Sequence, residues 1–151
     1  MQYTIVKEPD STARGRKPMG HYQINPDDES HIVRVVAGGE FDLALSKNMV
    51  TNARAMATRL KRPLLYDLRD ISTSVSEADL YELIHTLPVL GTNEASKYCA
   101  AVVIGGSIPS KLRKFYEHEA RNINITVRGF QKASIALDWL RDRAGKLRER
   151  D

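Results

Sequence analysis

Two aspartates and an arginine follow a short apolar run near the middle of the chain: Asp67, Arg69 and Asp70. Paired carboxylates can serve as general acid and base when the pKa of one of them is raised. An arginine between them tends instead to keep both carboxylates ionised. We therefore interpret the three residues as a structural ion-pair network, with acid–base chemistry as the alternative.

Hydroxyl side chains are the second group that could do chemistry. A serine-rich stretch follows Asp70, and the segment Gly105-Gly106-Ser107-Ile108-Pro109-Ser110 leads into a helical pattern. Backbone amides there, with Lys111 and Arg113 close behind, could hold an anion. The segment lacks the Gly-Lys-Ser/Thr ending of a phosphate loop, and no serine lies in a Gly-x-Ser-x-Gly elbow.

These stretches define one predicted binding site, because loops at the carboxyl ends of parallel strands usually hold the ligand. We predict no catalytic residue, no metal ligand and no cofactor there. The candidate binding residues are Asp67, Arg69, Asp70, Ser72, Ser74, Ser76, Ser107, Ser110 and Lys111.

Histidines and cysteine supply no further chemistry. The four histidines have no metal-binding spacing, and His118 lacks the second histidine of a zinc-binding helix. Cys99 is the sole cysteine, which excludes an internal disulfide and suits a reducing compartment. We interpret it as a small apolar residue at the start of a strand.

Composition places the chain among globular proteins of one domain. It has 151 residues, of which 42% are hydrophobic and 28% charged. The net charge of +4 is modest and its basic residues are scattered, so we do not expect nucleic-acid binding. No apolar run is long enough to span a bilayer and the first residues do not resemble a secretory signal, so we expect a cytoplasmic protein.

Strands alternate with helices along the chain, which indicates an α/β domain with a mostly parallel sheet. An opening antiparallel hairpin adds an edge, for about five strands and four helices in all. Residues 1–20 are predicted to be an arm and basic loop, in which residues 3–6 form either a short strand or an ordered arm; residues 21–147 form the domain. The predicted strands are residues 21–24, 31–37, 63–68, 98–104 and 123–128, and the predicted helices 41–60, 76–87, 110–120 and 131–147. Arg54, Arg59 and Lys61 are predicted to lie on the outer side of the first of these helices.

Asp67-Leu68 ends the predicted central strand, and the late run Val127-Arg128-Gly129-Phe130 is followed by Ala136-Leu137-Asp138-Trp139-Leu140. With the order of strands and helices, these residues make the chain resemble the SpoIIAA-like family, over roughly Tyr22 to Leu140. The fold of that family resembles that of the STAS domains, the bacterial anti-sigma-factor antagonists. The resemblance implies this fold and a regulatory role.

Ser76 lies where STAS antagonists carry their phosphorylated serine. Asp67, Leu68 and Ile71 match the strand end that precedes it in those proteins. Val75 replaces the aspartate expected beside the serine, and the following glycine is missing. A helix cap also explains the serine, with Asp79 in place of the usual Glu or Gln of a capping box. We predict a cap and no phosphoswitch.

Three functions remain open. The leading hypothesis is a non-enzymatic binding or regulatory module that acts through protein contacts. The second is a carrier of an apolar or lipid-like ligand, which the related fold of CRAL-TRIO lipid-transfer domains suggests. The third is a small enzyme that uses Asp67, Asp70 or a loop serine. A homodimer through an edge strand or the Trp139 helix is a further alternative.

The surroundings of the predicted site would distinguish the three functions. A flat surface at the loops favours protein contacts. A raised pKa on an aspartate inside a deep pocket favours an enzyme. A cavity favours the carrier, with the expected lining Leu80, Ile84, Leu112 and Phe115.

Overall fold

The computed structural model describes residues 3–6, 19–73, 75–86, 99–106, 108–122 and 126–150. Within these ranges the chain forms six strands and four helices. The strands are β1 (Tyr3–Val6), β2 (His21–Asp27), β3 (Ile32–Phe41), β4 (Leu64–Thr73), β5 (Ala100–Ile104) and β6 (Val127–Phe130). The helices are α1 (Leu43–Leu60), α2 (Glu77–Thr86), α3 (Ser110–Asn122) and α4 (Ala133–Arg150).

All described strands join one mixed sheet in the order β1-β2-β3-β4-β5-β6. β2 pairs antiparallel with β1 and with β3, and the strands from β3 to β6 are parallel. The α/β class, the opening hairpin and the parallel remainder are confirmed. Residues 3–6 form a strand, so the sheet has one more strand than the predicted five.

Sequential strand order decides where the helices lie. Crossovers of the same hand between neighbouring parallel strands all pass over the same face of the sheet. Accordingly α1, α2 and α3 pack with the sheet in one apolar core, which contains Met49, Leu83 and Ala120. α4 returns over the opposite face, where Ala136 and Leu140 pack on Leu65 and Val103.

Helix α1 begins two residues later than predicted, at Leu43. Asp42 caps it by accepting a hydrogen bond from the Leu45 amide at 2.8 Å. Phe41, predicted as the first helical residue, is the last residue of β3. The prediction that Arg54 lies on the outer side of α1 is wrong, since Arg54 is 4% exposed.

Strands β3 and β4 both continue further than predicted. β3 does not end at Gly38-Gly39, and the segment from Arg69 to Thr73 is strand rather than loop. These extensions pair with each other, with Gly38 opposite Asp70 and Phe41 opposite Thr73. Because both partners gain ladder hydrogen bonds, the glycines do not end the strand.

Several predictions fall outside the described residues. They concern the basic group Arg14, Arg16 and Lys17, the site residues Ser74 and Ser107, the end of the second helix beyond Thr86, and the starts of the strands predicted at residues 98 and 123. Among the helices that the structure describes, none is long and apolar enough to cross a membrane.

Candidate functional site

Asp67 and Arg69 form a two-point ion pair on β4. Arg69 Nε and one terminal nitrogen donate to the two carboxylate oxygens at 2.9 Å and 2.7 Å. These hydrogen bonds lower the pKa of Asp67 against the opposing effect of its partial burial. The carboxylate is therefore held ionised, as the ion-pair interpretation expects.

A bulge in β4 brings Asp67 and Asp70 to the same face of the sheet. Val36 of β3 lies opposite Asp67, and Gly38 lies opposite Asp70, so two residues of β4 face the single residue Ala37. In a regular strand, residues three apart point to opposite faces. The bulge thus groups the two acids on the α4 side of the sheet.

His21 completes this side of the sheet. Its ring covers Gly38, where an added Cβ would lie 3.1 Å from ring atoms and 3.6 Å from Asp70 Cβ. Neighbouring Val36 is 43% exposed. We call His21, Val36, Asp67, Arg69 and Asp70 the open strand face, because α4 packs against β5, β6 and the opposite end of β4.

The remaining predicted site residues gather at the beginnings of α2 and α3. Ser76 Oγ accepts from the Asp79 amide at 3.1 Å, and Asp79 accepts from the Ser76 amide at 3.1 Å. This reciprocal pair is the predicted cap. Lys111 of α3 lies 3.5 Å from Glu77 of α2, so the two helix starts are neighbours.

The predicted site is thus divided between two places. Asp67, Arg69 and Asp70 lie on the open strand face, whereas Ser76, Ser110 and Lys111 lie at the helix starts of the opposite layer. Ser72 pairs with Glu40 inside the extended ladder. The segment after β5 does come close to β4, because a Cβ at Gly105 would lie 2.7 Å from the Arg69 carbonyl oxygen.

A cavity of about 130 Å³ lies between the sheet and the layer of α1, α2 and α3. Its walls are almost entirely apolar, and no described residue of the predicted site lines it. The lining comprises Phe41, Ser46, Met49, Val50, Tyr66, Leu68, Ile71, Val75, Leu80, Leu83, Ala100, Val102, Ile104, Ile108, Leu112, Arg113, Tyr116, Glu117, Val127 and Gly129.

Two tyrosines give this cavity a polar group on its wall. Burial raises the pKa of both Tyr66 and Tyr116, against the effect of the Arg54 guanidinium beside them. The Tyr66 hydroxyl is enclosed and lies near the Arg54 guanidinium. It makes no hydrogen bond of regular geometry with any described residue. Both phenols therefore stay protonated and able to donate.

Arg113 and Glu117 of α3 form the second polar group, beside β6. Glu117 Oε1 accepts from the Gly129 amide at 2.7 Å, which satisfies an edge-strand donor. The Arg113 stem lies over Gly129, where an added Cβ would be 2.4 Å from Arg113 Cδ. Arg113 Nε is buried and has no hydrogen-bond partner among the described residues.

Sequence reasoning found this cavity only in part. Leu80 and Leu112 line it as the carrier hypothesis expected, whereas Ile84 and Phe115 do not. Tyr66 was not singled out, and Arg113 was named as an anion contact behind the Gly105–Ser110 segment rather than as part of an apolar cavity. The available signal was a tyrosine within the apolar run before Asp67, since a buried tyrosine usually needs a partner for its hydroxyl.

The fold and this site define an α/β domain with an apolar cavity between its sheet and one layer of helices. The described residues include no group of three or more side chains placed to hold a metal ion. No family model, no curated protein and no solved structure matches the chain. The resemblance to the SpoIIAA-like family therefore stays a prediction.

Proposed function

We propose that this protein binds a small apolar ligand in the cavity between the sheet and α2–α3. The observation that carries the proposal is the cavity itself. Protein interiors are close-packed, and voids much larger than a water molecule are few. The space here is about 130 Å³, which is of the same order as the roughly 150 Å³ of an apolar cavity that binds benzene.

The position of Val75 supports ligand binding over a phosphoswitch. Val75 stands where the STAS pattern has an aspartate, and it lines the cavity at 9% exposure. A carboxylate there would place a charge against an apolar wall, which is costly without a partner. The departure from the pattern is therefore consistent with an apolar site.

The open strand face offers little support for an enzyme. Acid–base catalysis by the paired aspartates needs one raised pKa, whereas hydrogen bonds from Arg69 lower the pKa of Asp67. The pair also lies on the face opposite the cavity. We propose binding without catalysis.

Contacts between α2 and α3 hold the helices that cover the cavity. Lys111 and Glu77 form an ion pair at 3.5 Å near the helix starts, and His85 Nε2 lies 3.7 Å from Glu119 near their ends. An exposed ion pair such as Lys111–Glu77 contributes about 0–1 kcal/mol. Separating α2 from α3 is therefore a low-cost route by which a ligand could enter.

Filling the cavity tests the proposal. Octanol binding is measured by isothermal titration calorimetry for the wild type, Val102→Phe and Val36→Phe. Val102 lines the cavity from β5, whereas Val36 lies on the open strand face and is the matched control. We expect binding to the wild type and to Val36→Phe, and at least a tenfold loss in Val102→Phe. Absence of binding to the wild type, or equal binding to all three, overturns the proposal.

A second candidate function is protein contact through the open strand face, with a second copy of this chain as the partner. Arg69 beside Asp67 and Asp70 gives this face both signs of charge. In a two-fold dimer the same face of both copies meets, so the positive charge of one copy can pair with the negative charges of the other. Val36 supplies an exposed apolar centre. Sedimentation should then show a wild-type dimer and a monomeric Val36→Asp variant. A monomeric wild type contradicts this candidate.

A further inference from the structure

We propose that the ligand is a small amphipathic monocarboxylate, whose carboxylate Arg113 binds while its apolar part fills the cavity. This inference rests on the proposed function and goes beyond it, because it names the charged end of the ligand and the side chain that binds it. Arginine is suited to this because its guanidinium offers planar donors that match a carboxylate.

The buried nitrogen of Arg113 is the first observation. Arg113 lines the cavity, and its Nε–H is enclosed with no acceptor among the described residues. A buried donor without an acceptor is costly, so such groups are rare unless a ligand or water uses them. An acceptor entering the cavity would satisfy this donor.

Gly129 sets the position of that donor. The Arg113 stem passes so close to Gly129 that a Cβ would lie 2.4 Å from Cδ and 2.8 Å from Cγ. Any larger residue at 129 would displace the stem. The absent side chain thus lets the guanidinium lie against β6 at the cavity wall.

Tyr66 brings a second donor to the cavity, because its hydroxyl is enclosed and has no hydrogen-bond partner among the described residues. Tyr66, Val102 and Gly129 are direct neighbours across three strands, so Arg113 lies over one end of the row that Tyr66 begins. Neighbouring strands are about 4.8 Å apart, so the row spans about two such spacings. A carboxylate over Val102 would lie between the strand positions of Tyr66 and Gly129.

The charges that face this place favour an anion. Arg113 lies at one end and Arg54 lies beside Tyr66 at the other. Glu117 is the acidic residue of the lining, and its Oε1 is engaged by the Gly129 amide. A neutral apolar molecule would leave the donors of Arg113 and Tyr66 without an acceptor.

Calorimetry with octanoate, octanol and octane separates this inference from the proposed function. The variants are Arg113→Met, which retains an apolar stem over Gly129, and Lys114→Met, which removes the same charge from the neighbouring exposed position. A charge-assisted hydrogen bond corresponds to about tenfold or more in affinity. Circular dichroism checks that each variant is folded.

We expect octanoate to bind the wild type at least tenfold more tightly than octanol. Arg113→Met should lose that preference while it still binds octanol, and Lys114→Met should retain it. Equal affinities for octanoate and octanol, or a preference that survives in Arg113→Met, overturn the carboxylate inference alone. Failure of all three probes to bind the wild type overturns the proposed function as well. If Arg113→Met does not fold, the same comparison in Tyr66→Phe decides, with a reduced octanoate preference expected and an unchanged preference contradicting the inference.

Discussion

Ser76 and Asp79 each accept a hydrogen bond from the backbone amide of the other, both at 3.1 Å. The pair satisfies two amides that a helix start would otherwise leave without partners. We predict that Ser76→Ala destabilises the protein by about 1 kcal/mol, and that Ser76→Asp retains stability because aspartate also caps and suits the helix dipole. Urea denaturation measures both. Substantial phosphate on Ser76 in protein isolated from its host would contradict a purely structural role.

Asp67→Asn should destabilise the protein at neutral pH by about 0.5–1 kcal/mol, since Arg69 then loses its charged partner. Hydrogen bonds from Arg69 lower the folded-state pKa of Asp67. The stabilisation is therefore fully present above the unfolded-state value of about 4 and is lost as pH falls through the lower folded-state value. Melting temperatures of wild type and variant should converge in acid. A difference in melting temperature that persists at the lowest pH would show that the Asp67–Arg69 ion pair does not cause it.

Gly105→Ala and Gly106→Ala should differ, although the two glycines are adjacent. A Cβ at Gly105 would lie 2.7 Å from the Arg69 carbonyl oxygen, whereas a Cβ at Gly106 would meet nothing within 4 Å. We expect Gly105→Ala to cost about 1–3 kcal/mol and Gly106→Ala to stay within about 0.5 kcal/mol of wild type. Chemical denaturation of both variants provides the comparison. Equal stabilities would mean that the β4–β5 contact adjusts without cost.

Trp139→Ala should destabilise by about 2–3 kcal/mol, below the 3–5 kcal/mol expected of a fully buried aromatic residue. Trp139 is only partly buried; its ring lies 5.5 Å from that of Phe130, and Arg143 stacks on it at 5.6 Å. Ile135, 52% exposed on the same helix, is the control, and Ile135→Ala should change stability little. A stable Trp139→Ala protein with altered sedimentation would instead make Trp139 an interface residue.

The main elements could be predicted because their signals are local. Mostly β-branched residues at 32–36 form a strand, and Ser76 before an apolar repeat begins a helix. Asp42 gives the same local signal for the start of α1, although Phe41 was predicted as the first helical residue. The extension of β3 through Gly38-Gly39 could not be predicted in this way. It depends on pairing with the second half of β4, which is distant in sequence.

Arg54 and the cavity show a different limit. Arg54 lies four residues after Val50 and three before Ala57, both buried, so the helical period places it on the inner face. Its charge led to the opposite interpretation. The cavity exists because side chains from three helices and four strands leave a space between them. No local sequence pattern determines the packing of so many elements.

The order of the strands in the sheet, β1 to β6, is the same as their order along the chain. Each strand after β1 therefore pairs with the strand that comes before it in the chain. Such a sheet can grow from the hairpin outwards as the chain is synthesised, with each crossover helix closing over a surface already formed. β6 would then join last, and only at that step would Gly129 come under Arg113 and the cavity acquire its outer wall.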